Sequence, residues 1–475
     1  MHARLAFALG TLALAGCAGG PPPEVATPTP VLPDRFLYAP QGVEQGALSA
    51  LLPYGDPAFD TLAAQALAGS PSLGEALARI EGARAGAARA GTERLPAIGA
   101  NGSVEGRRSN PAQFGDNVPA ALAFDTEQVA YAANLTARWD PDIFGRLRAQ
   151  ERAALARIDA ADASARAVRN ALLAEVAAST IDWRTLEARR TAIEDDLAAA
   201  EELARLAGIR EKSGIAPGFD RVRAESAANT SRSRLAALES ERARLVGRLV
   251  TLTAQGGAQV RSALAMSRAD GAIPAPPQAL PSELLANRPD VLSAAAMLAA
   301  SDAELAATSR RRFPVFDLSA AIGLLAFSPG DLFDENSIVG SLAASVAGPL
   351  LDFGRIEAEI DGAAAEKRAA FEAYRGAVYT ALGDAEAAYG LVAAADREAA
   401  AASEEAASLR RAAALAETRQ RAGLADFLTV LEARRAADAS GERSAAALGR
   451  AQRARVLLWQ ALGGDVQPIT RSTSQ

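Results

Sequence analysis

One short segment occurs twice in the chain, and this repetition constrains the fold more than any other feature. Both copies end in Phe-Gly-Arg, at Phe144-Gly145-Arg146 and Phe353-Gly354-Arg355, and the two phenylalanines are 209 positions apart. Each copy follows an alternating segment typical of a strand and precedes a long Ala-, Glu- and Arg-rich segment typical of a helix. The sequence therefore predicts a duplicated unit, in which Gly permits the bend between strand and helix and Phe packs at the junction.

The first unit is predicted over residues 72–255. Its two strands are expected at about 94–107 and 126–139, and its helical hairpin at 145–254. The second strand alternates most clearly, because its odd-numbered positions from Val129 to Trp139 are apolar and most of its even-numbered positions are polar. Such alternation places the apolar side chains on one face of a sheet.

The second unit repeats this order over residues 282–463. Its strands are expected at about 313–327 and 337–350, and its helical hairpin at 354–462. Residues 256–281 are rich in Gly and Pro and are expected to form an irregular connector between the units.

Each helical hairpin is predicted to turn at a tip of small residues. The tips are Gly214-Ile215-Ala216 and Gly423-Leu424-Ala425, which are also 209 positions apart. The helix before the first tip spans roughly 65 residues, or about 100 Å at about 1.5 Å per residue. Helices of this length cannot form one compact globule, so the expected fold is mainly α with a smaller β part.

The four predicted strands have the length and alternation of membrane-barrel strands. Four strands are too few to close a barrel, for which about eight is the practical minimum. An open sheet in lipid would leave unpaired backbone groups at its edges, at a cost of several kcal/mol each. Other copies of the chain are therefore expected to complete the sheet, although this argument does not set their number.

The N-terminus has the features of an export signal, with an apolar run too short to span a bilayer. Leu14-Ala15-Gly16-Cys17 resembles the bacterial lipobox, which predicts a signal peptide over residues 1–16 and lipidation, including palmitate, at Cys17. An ordinary signal peptide with an incidental cysteine is the alternative. Residues 17–71 are expected to be the lipidated N-terminus and a Pro-rich tether, and residues 464–475 a C-terminal tail.

Several kinds of chemistry lack the residues they need. The only histidine is His2, inside the signal, and the only cysteine is Cys17. The mature chain therefore lacks His-based acid–base catalysis, a free Cys nucleophile and the usual zinc ligands. We expect no catalytic residue, no metal and no cofactor other than the lipid. The net charge of −7 gives no reason to expect nucleic acid as a partner.

The layout resembles the TolC-like outer membrane factors, specifically the lipidated NodT-type efflux branch. The resemblance rests on the lipobox, the repeat, the Leu284–Val291 block with its Arg-Pro-Asp, the paired junctions and the tip signature Arg421–Arg434. It implies a homotrimer whose twelve-stranded membrane β-barrel continues into a long periplasmic α-barrel. It also implies the outer membrane of a Gram-negative bacterium, a periplasmic adaptor (membrane fusion protein) and an inner-membrane pump, with the RND type expected.

The resemblance also assigns roles to residues near the tips. Thr429 and Glu432 match positions of inward-facing carboxylates at the periplasmic constriction, where three Glu432 side chains would form a negative ring; a solvated surface glutamate is the alternative. Asp220 matches an acid that latches the closed state, and either Arg421 or Asp426 is a candidate partner. The resemblance further implies that the two tips dock onto the adaptor, whereas Gly permits the turn in any case.

The function expected from these features is an outer-membrane exit channel that passively conducts small molecules or ions expelled by the pump. The alternatives are the outer-membrane duct of a type I protein secretion system and a periplasmic coiled-coil scaffold lipoprotein. Amphipathic strands argue against a scaffold, which has no use for them. The absence of His and free Cys argues against an enzyme.

Overall fold

The computed structural model describes residues 24–40, 48–108, 127–215, 217–267 and 273–464. The helices, in chain order, are α1 (Pro57–Gly69), α2 (Pro71–Thr92), α3 (Arg146–Lys212), α4 (Gly218–Thr253), α5 (Gly257–Leu264), α6 (Pro281–Asn287), α7 (Pro289–Ser309), α8 (Arg355–Arg421) and α9 (Phe427–Ala461). The strands are β1 (Ala97–Arg108), β2 (Glu127–Trp139), β3 (Val315–Ala326) and β4 (Ile338–Ala347). The predicted signal peptide, Cys17 and Ala216 lie outside the described residues.

The chain divides into two compact units, and each takes residues from both halves of the sequence. One, here called the sheet unit, includes Glu81–Asp159 and Ala295–Glu372. The other, here called the hairpin unit, includes Thr29–Ile80, Ala160–Ala294 and Ala373–Gln475. The element order of helix, two strands, long helix and return helix occurs twice, as the sequence predicts.

The sheet unit contains one antiparallel sheet with strand order β1-β2-β3-β4. The register pairs Leu135 of β2 with Ala100 of β1 and with Ile322 of β3. Because directly opposite residues share a face, the apolar positions of all four strands form one continuous face. Its larger members are Ile98, Val104, Tyr131, Leu135, Trp139, Phe316, Leu318, Ile322, Leu324, Ile338, Leu342 and Val346.

The hairpin unit is built from two hairpins of nearly equal size. Helices α3 and α8 each have 67 residues, and the return helices α4 and α9 have 36 and 35. Ala-rich sequence with charged residues favours such helices, and apolar residues at intervals of three and four provide a packing face. The main core of this unit includes Leu173 of α3, Tyr389 of α8 and Trp459 of α9, all fully buried.

The prediction of a tether extending through residue 71 is wrong for its second part. Residues 57–69 form helix α1, which begins at the N-cap Asp56 and places Phe59 and Leu62 in the main core of the hairpin unit. The Asp56 carboxylate is buried and accepts two hydrogen bonds from Arg184, at 2.8 and 3.0 Å. Pro57 is the first residue of this helix, a position that proline favours. Proline in this segment is therefore a helix start rather than a sign of an extended tether.

The connector at 256–281 is also more ordered than predicted. Residues 257–264 form helix α5, whose Val260 and Leu264 are fully buried. After the connector the chain forms two successive helices, α6 and α7, which are separated at Arg288 because a residue before proline disfavours helical backbone and Pro289 begins α7. The segment Pro289–Arg312 is the one helix within the described part of the chain that is long and apolar enough to cross a membrane by length and composition.

Candidate functional site

The first strand-to-helix junction is packed within the chain. Gly145 has a φ of +76°, which favours glycine. The ring of Phe144 stacks on that of Phe313 with centroids 4.7 Å apart and lies 6.3 Å from that of Phe316. The buried Asp142 carboxylate accepts hydrogen bonds from the backbone N–H of Leu147 and Arg148, both at 2.9 Å, and so caps helix α3.

The second junction has the same backbone but no comparable packing. Gly354 has a φ of +84°, and the Asp352 carboxylate accepts a hydrogen bond of 2.9 Å from the backbone N–H of Ile356. Phe353, however, is 91% exposed, compared with 39% for Phe144. Arg146 pairs with Asp140 at 3.2 Å, and Arg355 pairs with Glu359 at 2.9 Å. The prediction that Phe packs at each junction therefore fails for Phe353 in the single chain.

The two edge strands of the sheet are unpaired, and its apolar face is not covered by other elements of the described chain. Every position of the outer strands β1 and β4 is exposed. Within the described residues, these strands pair only with β2 and β3, so both sheet edges are open. Monomeric soluble proteins rarely expose an apolar face of this extent or long open edges. The opposite face is polar and contains an Arg138–Asp317 ion pair of 2.6 Å.

Both tips end their long helices with the same hydrogen-bonded turn. At the first, Gly214 N–H binds Glu211 C=O at 2.9 Å and Ile215 N–H binds Arg210 C=O at 2.9 Å. At the second, the matching bonds from Gly423 and Leu424 are 2.9 and 2.8 Å. This is the Schellman motif, in which Gly adopts a positive φ, and here φ is +67° and +74°.

The tips expose apolar side chains. Ile215 is 70% exposed and Leu424 is 69% exposed, although the Schellman motif commonly buries the residue at this position against its own helix. Ion pairs behind the tips join the two helices of each hairpin. Arg221 contacts Glu211 at 2.7 Å in the first, and Arg434 contacts Glu417 in the second.

Thr429 and Glu432 lie on the exposed side of helix α9. Phe427 and Leu431 on the other side are buried in a cluster with Ala207 of α3 and Ala224 of α4. Both predicted constriction residues are exposed, and their spacing of three places them on the same face of the helix. Within the described residues, the Glu432 carboxylate forms no hydrogen bond or ion pair with another side chain.

The three latch candidates have different environments. Asp426 is the N-cap of α9, and hydrogen bonds from the Thr429 hydroxyl and backbone N–H hold the pKa of its carboxyl below the usual range. Arg421 lies 3.8 Å from Glu417 on its own helix. Asp220 is in the first turn of α4, where it interacts favourably with the helix dipole. Within the described residues, no hydrogen bond or ion pair joins the side chains of Asp220, Arg421 and Asp426.

One charged cluster in the hairpin unit was missed by sequence reasoning. Asp196 of α3 accepts a hydrogen bond from the Ser231 hydroxyl of α4, and its carboxyl interacts with that of Asp438 of α9. Burial, together with the Asp196 carboxylate, raises the pKa of Asp438 to about 7. Arg434 and Arg234 oppose this shift, and Arg234 also pairs with Glu442. The repeated sequence gives one indication of this cluster. The position equivalent to Asp438 in the first repeat is Asn229, so only the second repeat has a carboxyl there.

Comparison with known proteins agrees with this architecture. The profile of the outer membrane efflux protein family matches residues 62–255 and 280–464. The chain is 30% identical over 417 residues to the pyoverdine export outer membrane protein OpmQ of Pseudomonas aeruginosa, covering 87% of this chain and 86% of that protein. It is 26% identical over 484 residues to nodulation protein T of Rhizobium leguminosarum bv. viciae, covering 99% and 96%.

The solved structure of the outer-membrane channel OprN has the same fold, with a TM-score of 0.80 at 25% identity, covering 94% of this chain and 99% of that one. These relatives are channel and export proteins rather than enzymes. The duplicated hairpins, the amphipathic sheet and these matches over both repeats lead to one assignment: the chain belongs to the outer membrane efflux protein family, as a TolC-like factor of the NodT type.

Proposed function

We propose that the protein is the outer-membrane exit duct of a tripartite efflux system. Three copies would close a twelve-stranded barrel and continue it as a periplasmic α-barrel. The observation that carries this proposal is the four-stranded sheet with one continuous apolar face and two open edges. Lipid would cover the apolar face, and neighbouring copies would pair the edges, which removes the two main costs of exposing this sheet.

The far ends of the hairpins are the proposed contact with the rest of the pump assembly. The exposed Ile215 and Leu424 would dock onto a periplasmic adaptor, which links the duct to an inner-membrane pump, with the RND type expected. The duct would conduct passively, because the pump supplies the energy. Efflux of small molecules is preferred over protein secretion because the matching family is described by efflux.

The constriction and the anchor complete the proposal. Three Glu432 carboxylates, one from each copy, would form a negative ring that attracts cations, with Thr429 one turn before it. Asp220 would pair with Arg421 to latch the closed tip against a neighbouring helix. Asp426 is the weaker candidate, because its capping bonds lower its pKa and two carboxylates repel each other. Cys17 would carry the lipid that anchors the N-terminus, and Cys17→Ser should remove the acylated N-terminus in a mass spectrum.

Conductance in planar bilayers tests the duct. Purified protein is expected to show small, cation-preferring conductance, and Glu432→Gln is expected to weaken that preference because it removes the charge of the ring. Glu239→Gln is a matched control, since Glu239 pairs with Arg242 on its own helix. Complete lack of conductance, even after substitutions that loosen the tips, would reject the duct, and unchanged selectivity in Glu432→Gln would reject the ring.

A further inference from the structure

The two strand pairs of the sheet have equivalent registers, and this equivalence can be checked residue by residue. Phe313 and Leu95 are 218 positions apart in matching Arg-Phe-Pro and Arg-Leu-Pro segments, whereas β2 and β4 are related by the 209 positions of the Phe-Gly-Arg repeat. Ile98 pairs with Ala137 in the first hairpin. Adding 218 to Ile98 gives Phe316, and adding 209 to Ala137 gives Val346. These two residues are paired in the second hairpin.

The pairing of β2 with β3 in the middle of the sheet predicts how the open edge strands β4 and β1 are paired. Strand β2 of the first repeat pairs with β3 of the second over nine residue pairs, among them Leu135 with Ile322. The equivalent contact would join β4 to β1, but these are the open edges at opposite ends of the sheet. Only a second copy of the chain can therefore pair with these edges. Adding 209 to Leu135 gives Ala344 of β4, and subtracting 218 from Ile322 gives Val104 of β1.

We infer that β4 of one copy pairs antiparallel with β1 of the next, with Ala344 opposite Val104 of the partner subunit. The parity of the register supports this, since Ala344 and Val104 both lie on the apolar face of their own sheet. A shift by one residue would place polar side chains of the partner on the apolar face. The inference rests on the proposed barrel and gives its interface a defined register.

The unpacked junction supplies an independent reason. Phe144 packs against Phe313 and Phe316 within the chain. The equivalent set is Phe353 against Leu95 and Ile98, and these three side chains are 91%, 62% and 77% exposed. With the proposed register, Phe353 packs on Leu95 and Ile98 of the partner subunit. The contact that is made within one chain at the first junction is made between copies at the second.

Cysteine cross-linking tests the register in the full-length, membrane-embedded protein. On mild oxidation, Ala344→Cys combined with Val104→Cys should give covalent dimers and trimers that reductant reverses. The neighbouring pair Ala343→Cys with Glu105→Cys should do the same. Directly opposite Cβ atoms are about 4.5–5.5 Å apart, so a small movement brings them to the about 3.5–4.5 Å of a disulfide. Diagonal Cβ atoms are about 7–8 Å apart and need a much larger movement.

The controls separate the register from mere proximity. Ala344→Cys with Gly102→Cys or with Gly106→Cys lies two residues out of register and should cross-link severalfold less, and each single variant reports any cross-link through Cys17. Stronger cross-linking of an out-of-register pair, or none from either in-register pair in an oligomer, would overturn the inference. A conducting oligomer without these cross-links would support the proposed duct and reject the register. Cross-linked oligomers that never conduct would support the register and reject the duct.

Substitution at the junction gives a second readout. Phe353→Ala is expected to lower the temperature at which the oligomer dissociates in detergent while leaving the helical content of the subunits unchanged. Phe144→Ala is the matched variant, and it is expected to disturb the subunit itself. Equal oligomer stability of Phe353→Ala and the unsubstituted protein would reject the contact between Phe353 and the partner subunit.

Discussion

The two repeats have the same backbone plan but obtain their side-chain contacts differently. The hairpins share one register, and the tips share one hydrogen-bonded turn. At the junctions, Phe144 is packed by its own chain, whereas Phe353 is almost fully exposed. Backbone geometry can thus be duplicated while the partner of a side chain lies within the chain in one copy and outside it in the other.

The starts of helices α2 and α7 differ in another way. Ser70-Pro71-Ser72 and Arg288-Pro289-Asp290 occupy equivalent positions, and the proline begins a helix in both. In the first repeat, two serine hydroxyls lie 2.9 Å apart. In the second, Arg288 forms two bonds with Asp290, one of 2.9 Å with Asp384 of α8, and one of 3.0 Å with the C=O of Ala461 in α9. One repeat thus uses a neutral contact where the other uses an ionic network.

The largest expected effect comes from making the second repeat like the first at this position. Arg288 is buried, so Arg288→Ser leaves Asp290 and Asp384 without their cation and the Ala461 carbonyl without a donor. We expect unfolding of the hairpin unit to become easier by about 2–4 kcal/mol, less than for a fully buried pair because both aspartates are partly exposed. Denaturant titration followed by circular dichroism measures this change.

Ser70→Ala is the matched control for Arg288→Ser, because it removes only one neutral hydroxyl contact. We expect it to cost about 1 kcal/mol or less. If the two substitutions had similar effects, the ionic network at Arg288 would contribute no more than the serine pair, and the Arg-Pro-Asp block would have to be explained by another role.

Periodicity predicted the repeated elements, but not the contacts made by segments without periodicity. The four strands and two long hairpins have strong alternating or helical patterns, and the Gly residues mark both tips. Helix α1 was missed because its packing depends on distant residues, among them Arg184, which neutralises the buried Asp56. Tyr389 likewise binds the connector through the C=O of Pro277 at 2.9 Å. No local pattern encodes contacts over such sequence separations.

The candidate site was predicted unevenly for a similar reason. The shared face of Thr429 and Glu432 on α9 follows from helical spacing, and the turns at Gly214 and Gly423 follow from glycine at a helix end. The roles that these residues have in an assembly stay predictions. Asp426 caps α9, a role that its position immediately before a helix favours and that the family resemblance does not predict.

The second prediction concerns Asp438, whose equivalent in the first repeat is Asn229. Because the pKa of Asp438 is about 7 in the folded protein, above the usual aspartate value, its contribution to stability is fully present below about pH 4 and is lost as pH rises to 7. We expect Asp438→Asn to remove this loss and to raise stability at pH 8 by about 1–2 kcal/mol, a figure reduced for partial exposure.

Thermal denaturation at pH 5 and pH 8 measures the contribution of Asp438. The difference between the two temperatures of unfolding should be smaller in Asp438→Asn than in the unsubstituted protein. Asp195→Asn provides a control beside the same cluster, because the Asp195 side chain is exposed and its substitution should leave the difference unchanged. An unaltered pH dependence in Asp438→Asn would show that this carboxyl is not the titrating group.

The smallest expected effect tests whether the two tips are truly alike. Gly423 has a φ of +74°, which costs a residue with a side chain about 1–2 kcal/mol. Gly423→Ala should therefore speed hydrogen exchange at the second tip, and Gly214→Ala should do the same at the first. Gly441→Ala is the control, since Gly441 lies within helix α9 with open space around it, and it should slow exchange there. Slower exchange at either tip would mean that its backbone does not need glycine, and the shared turn would not explain why glycine occurs in both.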